Sequence, residues 1–421
     1  MPHVTDYIQW RGDIPFENDP LNEVDNLIFC LLSYVELDGA VPSTPDRCVT
    51  LREAAKEYFF THDPKDERPL GLIVPREIVA LFRQMADAPR YRDLQLCGYV
   101  NEICEKKQVQ FSALTIRLPD DTWFAAVRGT DDTIVGWRED FNLSWMDEVP
   151  AQRLTAEYLD NLPLTKNSRL YVGGHSKGGN LAIYAAMNAD PKVRKRIQHV
   201  YSLDGPGFPP EIVTSPAYRT IQPKVTKIVP SSSIVGMIFE TPEPCRVVSS
   251  DSDGIMQHSA FTWLLDGDQF ITEPDLSSSS QLFNEELNHW IATLTPEQRE
   301  RAVDALFTVL HANGATSFSE VMSNFPASIP AMLGAYVGLT PADRRHLVEA
   351  LAILFKASTA KRKPTPAPAS APSSATSKAT AEIPAETAAG ADSAAPARAD
   401  TDADAGTTAS PSAEDATEIA D

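Results

Sequence analysis

Apolar residues recur at helical spacing between Pro20 and Glu36: Leu21, Val24, Leu27, Ile28, Leu31, Leu32 and Val35, with Asn22 or Asp25 as the polar start. Two more helices are predicted over 49–60 and 74–88. Between 107 and 128 the period changes. Phe111, Leu114 and Ile116 lead to Pro119-Asp120-Asp121, and Trp123 to Val127 follow, which predicts a hairpin with a polar turn. Further on, helices over 151–162 and 180–187 alternate with short buried strands at Leu170–Gly173, Val200–Leu203, Val225–Val229 and Arg246–Val248. Strands alternating with helices imply crossover units and a largely parallel sheet, hence an α/β class.

The pattern changes again after residue 280. Four helices are predicted, through Trp290, through Glu300 and Leu310, through Met332 and through Leu354. Thr295-Pro296 and Thr340-Pro341 form N-cap and N1-proline starts. From Ser358 to Asp421 there is no aromatic residue and no Leu, Val or Met; the branched aliphatics are Ile383 and Ile419. Such a Pro/Ala/Ser/Thr-rich stretch cannot bury enough apolar surface to offset chain entropy. The expected organisation is an α/β domain over 1–280, a helical appendage over 281–357 and a disordered tail over 358–421.

Charge narrows the partners. The net charge is −21, and the stretch after Thr380 holds ten acids against Arg398 alone. Phosphate backbones need a basic footprint, so nucleic-acid binding is excluded as an expectation. An anionic membrane surface is disfavoured for the same reason. No apolar run approaches the roughly 20 residues of a spanning helix, so stable membrane insertion is not expected. The five cysteines include no C-x-x-C pair, and the first residues lack a basic and apolar leader. A reduced, cytoplasmic protein is expected. No metal-ligand spacing, Walker-type phosphate loop or repeat is present, and no cofactor is expected; oligomeric state has no sequence signature here.

The chemistry concentrates in Leu170-Tyr171-Val172-Gly173-Gly174-His175-Ser176-Lys177-Gly178-Gly179-Asn180. A Gly174-x-Ser176-x-Gly178 motif between a strand and a small-residue helix is a nucleophile-elbow pattern. The serine must occupy a tight strand-to-helix turn, so its neighbours at −2 and +2 must be small. Its hydroxyl is then presented at a helix N-terminus, where N–H groups and the dipole favour an oxyanion. A serine nucleophile needs a base. His175 lies in the turn and His199 starts a strand. His289, His311 and His346 lie at helical positions of the appendage. His258 follows the strand Arg246–Val248 after a polar loop and is the candidate base. Upstream, Arg128-Gly129-Thr130-Asp131 closes a strand. The N–H of Thr130 or Asp131, with that of Lys177, is the candidate oxyanion hole; the alternative is an ordinary turn with Arg128 paired to Asp140. An apolar run from Ser233 to Phe239, with Ile234, Val235 and Met237, is the candidate substrate contact, either as an acyl pocket or as a small lid.

Arg128-Gly129-Thr130 with Trp137 and Asp140, followed by Gly-His-Ser-x-Gly-Gly-Asn, resembles the class 3 lipase branch of the α/β-hydrolases. More closely, the chain resembles the Mbeg1-like family within that fold. The matching pieces include Asp6-Tyr7-x-x-Trp10-Arg11-Gly12, Asn22-Glu23-Val24-Asp25, Asp204-Gly205-Pro206-Gly207-Phe208 and Gln257-His258. The resemblance covers residues 1 to about 355 and implies an α/β-hydrolase fold, with an undefined substrate. Class 3 lipases carry the triad aspartate just ahead of a Val-Pro pair. Here that stretch is Lys227-Ile228-Val229-Pro230, without an acid. Asp204, at the end of the preceding strand, is the leading substitute; Asp251 and Asp253 are nearer His258 in sequence. The expectation is a serine esterase or lipase-like acyl hydrolase acting on a small ester or lipid-like substrate through Ser176, His258 and Asp204. Its rivals are a non-catalytic scaffold that keeps the elbow and a thioesterase or peptidase on the same fold.

Overall fold

The structure, a computed structural model, describes residues 1–62 and 77–359. Eight strands form one sheet in sequential order: β1 (Cys48–Thr50), β2 (Gln95–Cys104), β3 (Val109–Arg117), β4 (Thr122–Val127), β5 (Arg169–His175), β6 (Ile197–Leu203), β7 (Val225–Pro230) and β8 (Cys245–Val248). From β1 to β4 neighbours are antiparallel; from β4 to β8 they are parallel. The sheet is therefore mixed, and its parallel part carries the elbow.

Helices cover both faces. One face holds α1 (Val4–Arg11), α2 (Glu23–Leu32), α3 (Leu51–Thr61) and α4 (Glu77–Asp87), packed on Leu114, Ile116, Phe124 and Ala126. After α5 (Ile134–Asn142), the other face receives α6 (Pro150–Asp160) and α7 (Lys177–Asn188) on Ala113, Trp123, Ala125 and Val127. Phe124 and Ala126 therefore face one way while Trp123, Ala125 and Val127 face the other, the period of two that a pleated strand imposes. Three short helices follow: α8 (Pro191–Arg194), α9 (Pro210–Val213) and α10 (Pro216–Ile221).

Local signals account for most starts. The Asn22 side chain accepts from the N–H groups of Val24 and Asp25, which caps α2. Thr50 caps α3 through Glu53. The Pro119-Asp120-Asp121 turn is present, with Asp121 at φ 58° in the left-handed region that aspartate tolerates. The expected helix over 74–88 is described from Glu77. Sequence pattern did not predict α1, β1, β2 or α5.

The C-terminal segment forms α11 (Ser278–Thr293), α12 (Pro296–Leu310), α13 (Phe318–Ser323), α14 (Phe325–Gly338) and α15 (Pro341–Thr359). The described residues fall in one compact unit that includes these helices and the sheet. Val303 and Phe307 of α12 pack with Ile134, Trp137 and Phe141 of α5, and Phe283 and Leu287 of α11 pack with Ile234. Arg138 pairs with Asp304, and Ser319 donates to the Asp132 carboxylate at 2.9 Å. Of the tail expected to be disordered, residues 358–421, Ser358 and Thr359 end α15 and residues 360–421 lie outside the described residues. Among the described residues no helix is long and apolar enough to cross a membrane.

Candidate active site

Strand β5 ends at His175 and α7 begins at Lys177, so Ser176 alone makes the turn. Its backbone sits at φ 60°, ψ −135°, a conformation that side chains disfavour. Sterics explain the flanking glycines. A Cβ on Gly174 would stand 2.2 Å from the carbonyl carbon of Gly178, and one on Gly178 would stand 2.2 Å from the carbonyl oxygen of Val127. The turn is held from the adjacent strand by the Ser176 N–H donating to Leu203 O at 2.9 Å.

His258 closes a short 3-10 turn, Gly254–His258, after β8. Its Nδ1 donates to Asp204 Oδ2 at 2.6 Å, and both residues are buried. Asp204 follows β6 directly, with a positive φ of 50°. Its second oxygen accepts from the Ser233 hydroxyl at 2.5 Å and the Gly236 N–H at 3.1 Å, so the carboxylate is fixed on both sides. Asp251 instead binds His3 Nε2 at 2.8 Å and is half-exposed, and Asp253 is exposed. With Nδ1 committed to Asp204, Nε2 is the ring nitrogen available to accept a proton. Ser176 and His258 line the same cavity without a hydrogen bond to each other among the described residues.

Thr130 and Lys177 also line this cavity; Asp131 does not. The Asp131 carboxylate is taken up by Arg128 at 3.1 Å and by the Thr133 N–H at 2.9 Å. Arg128 thus pairs with Asp131, and Asp140 is free for another partner. The Thr130 hydroxyl donates to Asp140 Oδ2 at 2.5 Å. Burial raises the pKa of Asp140 to about 6, against the lowering influence of Lys177 and of the Thr130 hydrogen bond.

Lys177 contributes more than a backbone N–H. Its buried ammonium donates to Glu139 Oε2 at 2.9 Å and to the Gln110 side chain at 2.7 Å. Gln110 in turn donates to Gly129 O at 3.3 Å, and Glu139 accepts from the N–H groups of Gln110 and Ala151. This network joins the start of α7 to the loop carrying Thr130, the two places where oxyanion donors were expected. Sequence reasoning missed Glu139, Gln110 and the Lys177 side chain. A charged residue inside an otherwise small-residue elbow was the available signal, because burying an ammonium is costly unless an acid pairs with it.

His175 was set aside from the sequence because it lies in the turn. The imidazole is buried and reaches the base from behind: His175 Nε2 contacts His258 O at 2.8 Å, and the Tyr34 hydroxyl contacts His175 Nδ1 at 3.1 Å. Burial, and next the nearby His258, lower its pKa from 6.5 to about 3.

The cavity in front of Ser176 has a volume of about 230 Å³. Of the expected substrate contacts, Ile234 and Val235 line it; Met237 does not, and Ile238 and Phe239 take that place. Met237 lies in the 3-10 turn Val235–Met237, and its carbonyl accepts from Asn288 at 3.1 Å. Residues of α11, α12 and α15 also line it, so the C-terminal helices share in the site.

A mixed sheet whose parallel strands lead into a strained strand–serine–helix turn, with helices on both faces, is an α/β-hydrolase fold. A sequence profile of the Mbeg1-like family matches residues 85–308, more than half of the chain, and the protein belongs to that family. Among solved structures, a crystal structure of M37 lipase aligns with 14% identity and a TM-score of 0.32, covering 51% of this chain and 68% of that one. No protein with curated annotation matches the sequence.

Proposed function

We propose that this protein is a serine hydrolase of carboxylic esters. Ser176 attacks the acyl carbon. His258 Nε2 takes the serine proton and returns it to the leaving alcohol, and water then releases the acyl group by the same route. Asp204 holds the imidazole in the Nδ1–H tautomer and stabilises its cation. The N–H groups of Lys177 and Thr130 receive the oxyanion, and Ile234 and Val235 contact the acyl side. The observation that carries this reading is the 2.6 Å bond from His258 to a buried, doubly anchored Asp204 beside the cavity of Ser176. The rival reading, a scaffold with an idle elbow, drew on the missing acid before Val229-Pro230. A carboxylate from the neighbouring strand end removes that support.

The test is labelling by a fluorophosphonate probe, which reacts with activated serines. Wild type should label and hydrolyse p-nitrophenyl acetate, and Ser176→Ala should do neither while keeping its melting temperature. Equal hydrolysis by the alanine variant would sink the proposal. A matched ester, thioester and amide set decides the class of bond cleaved; the ester should turn over fastest.

A further inference from the structure

We infer that the ester's acyl part is a hydrocarbon chain, held against a wall made by the C-terminal helices; this rests on the serine-hydrolase reading above. The cavity is lined by polar catalytic candidates and by a larger set of apolar side chains. Ser176, His258, His175, Thr130, Asp140 and Lys177 are among the polar lining. The helices α11, α12 and α15 contribute Leu287, Trp290, Ile291, Val303, Leu306 and Leu347 to the lining, and Ile234 packs with Leu287, Trp290 and Ile291.

The few polar groups in and beside that wall are engaged in part by neighbouring residues. Arg299, its one cation, donates to Ile291 O at 3.0 Å and to Ser144 O at 2.8 Å. The Ser144 hydroxyl donates to Phe141 O at 2.7 Å, and the Trp290 indole N–H contacts Glu349 at 3.4 Å. Along Leu287, Ile291, Val303, Leu306 and Leu347 a sugar, a carboxylate or a phosphate would lose water and find no replacement. A hydrocarbon chain would lose nothing. The rim agrees: Ile255 and Leu351 line the cavity and are themselves 36% and 47% exposed, so a chain can enter past apolar side chains. The wall is fixed to the body of the enzyme. Arg299 ties α11 and α12 to Ser144, and Asn288 of α11 bonds Phe239 N–H and Met237 O on the facing turn.

The experiment compares p-nitrophenyl esters from acetate to octanoate. Each buried methylene multiplies binding by roughly fourfold, so the octanoate-to-acetate ratio of kcat/KM should exceed tenfold. Val303→Trp, which fills the cleft, should lower that ratio at least tenfold. Trp290→Ala, which widens it, should move the best substrate to a longer chain. A ratio within one protein is insensitive to how much of it is folded. In parallel, decanoic acid should change the tryptophan fluorescence of Ser176→Ala, since Trp137 and Trp290 line the cavity. A flat chain-length profile with intact probe labelling would overturn the acyl-chain wall and leave the serine hydrolase standing. Decanoate binding without hydrolysis or labelling would overturn the hydrolase and leave the cleft as a chain-binding site.

Discussion

His175 and His258 are joined through a ring nitrogen and a backbone: Nε2 of the residue before the candidate nucleophile donates to the carbonyl oxygen of the candidate base at 2.8 Å. A carbonyl can only accept, so Nε2 carries the hydrogen. Nδ1 is left as the acceptor for the Tyr34 hydroxyl, 3.1 Å away. The neutral tautomer is thus fixed from both sides, and the ring anchors the turn that presents His258. His175→Phe should lower kcat about tenfold with little change in KM, and His175→Gln, whose amide can still donate, should recover part of it. An unchanged kcat in the phenylalanine variant would show that the turn holds itself.

The same residue sets an acid limit. Folded His175 stays neutral down to about pH 3, whereas unfolded histidine takes a proton near 6.5. Between these values the unfolded state binds more protons, so stability falls as pH drops through that window. Urea midpoints at pH 7, 5 and 4 should fall less steeply for His175→Gln than for wild type. Parallel slopes would mean that another group causes the acid loss.

Asp204→Asn tests the orienting carboxylate. The amide cannot stabilise an imidazolium and can present its NH₂ to Nδ1, which favours the wrong tautomer. The expected loss is on the order of 10³-fold in kcat, with probe labelling slowed in proportion. KM should move little, because Asp204 lies behind His258 and does not line the cavity. If Asp204→Asn keeps more than a tenth of wild-type kcat, the triad role of this residue fails.

Much of this site lay open in the sequence, and the reason is local. The elbow is a run of consecutive residues whose sterics require glycine at fixed positions, so Ser176 could be located without tertiary information. His258 and Asp204 could be ranked because strand ends on one edge of a parallel sheet converge. What stayed hidden depends on long-range packing. The partner of Lys177 is Glu139, 38 residues away, and the outer wall of the cavity comes from helices more than 100 residues after Ser176. Their apolar spacing predicted helices; it said nothing of which surface they cover. The strand Gln95–Cys104 was missed because its polar Asn101 and Glu102 and an irregular register between Cys97 and Val100 break the alternation.

Asp140 sets stability against activity. Its Oδ1 is enclosed without a hydrogen-bond partner among the described residues, and its pKa of about 6 lies above the ordinary 3.8. The folded state therefore binds more protons between these values, and stability is lost as pH rises through about 4 to 6. The cost above pH 6 has an upper bound of about 3 kcal/mol. Asp140→Asn should remove that cost and raise the melting temperature at pH 8, with no gain at pH 4. It should also lower kcat severalfold, because the amide holds the Thr130 hydroxyl less firmly than a carboxylate. A melting temperature that falls at pH 8 would show that the charge is compensated by Lys177.

Lys227 makes the last case. It lies in the stretch where a triad acid was sought, one strand from Asp204, and its side chain is fully buried. Its Nζ has no hydrogen-bond partner among the described residues. Register sets it beside Cys245 on β8, and Glu243 and Asp204 lie within electrostatic reach. Burial lowers its pKa below the ordinary lysine value of 10.5 despite these neighbours. A buried polar group without a partner costs about 1–3 kcal/mol. Methionine has a similar length and no polar head, so Lys227→Met should raise the melting temperature at pH 7 by roughly 2–6 °C. The sign of the pH dependence follows from the lowered pKa. Between the folded value and 10.5 the unfolded state binds more protons, so wild-type stability rises with pH across that window. The advantage of Lys227→Met should therefore shrink as pH approaches 10.5, read as the difference between the two thermal transitions in parallel scans. A variant less stable than wild type at pH 7 would show that the ammonium is stabilised in place, with Asp204 as its nearest explanation.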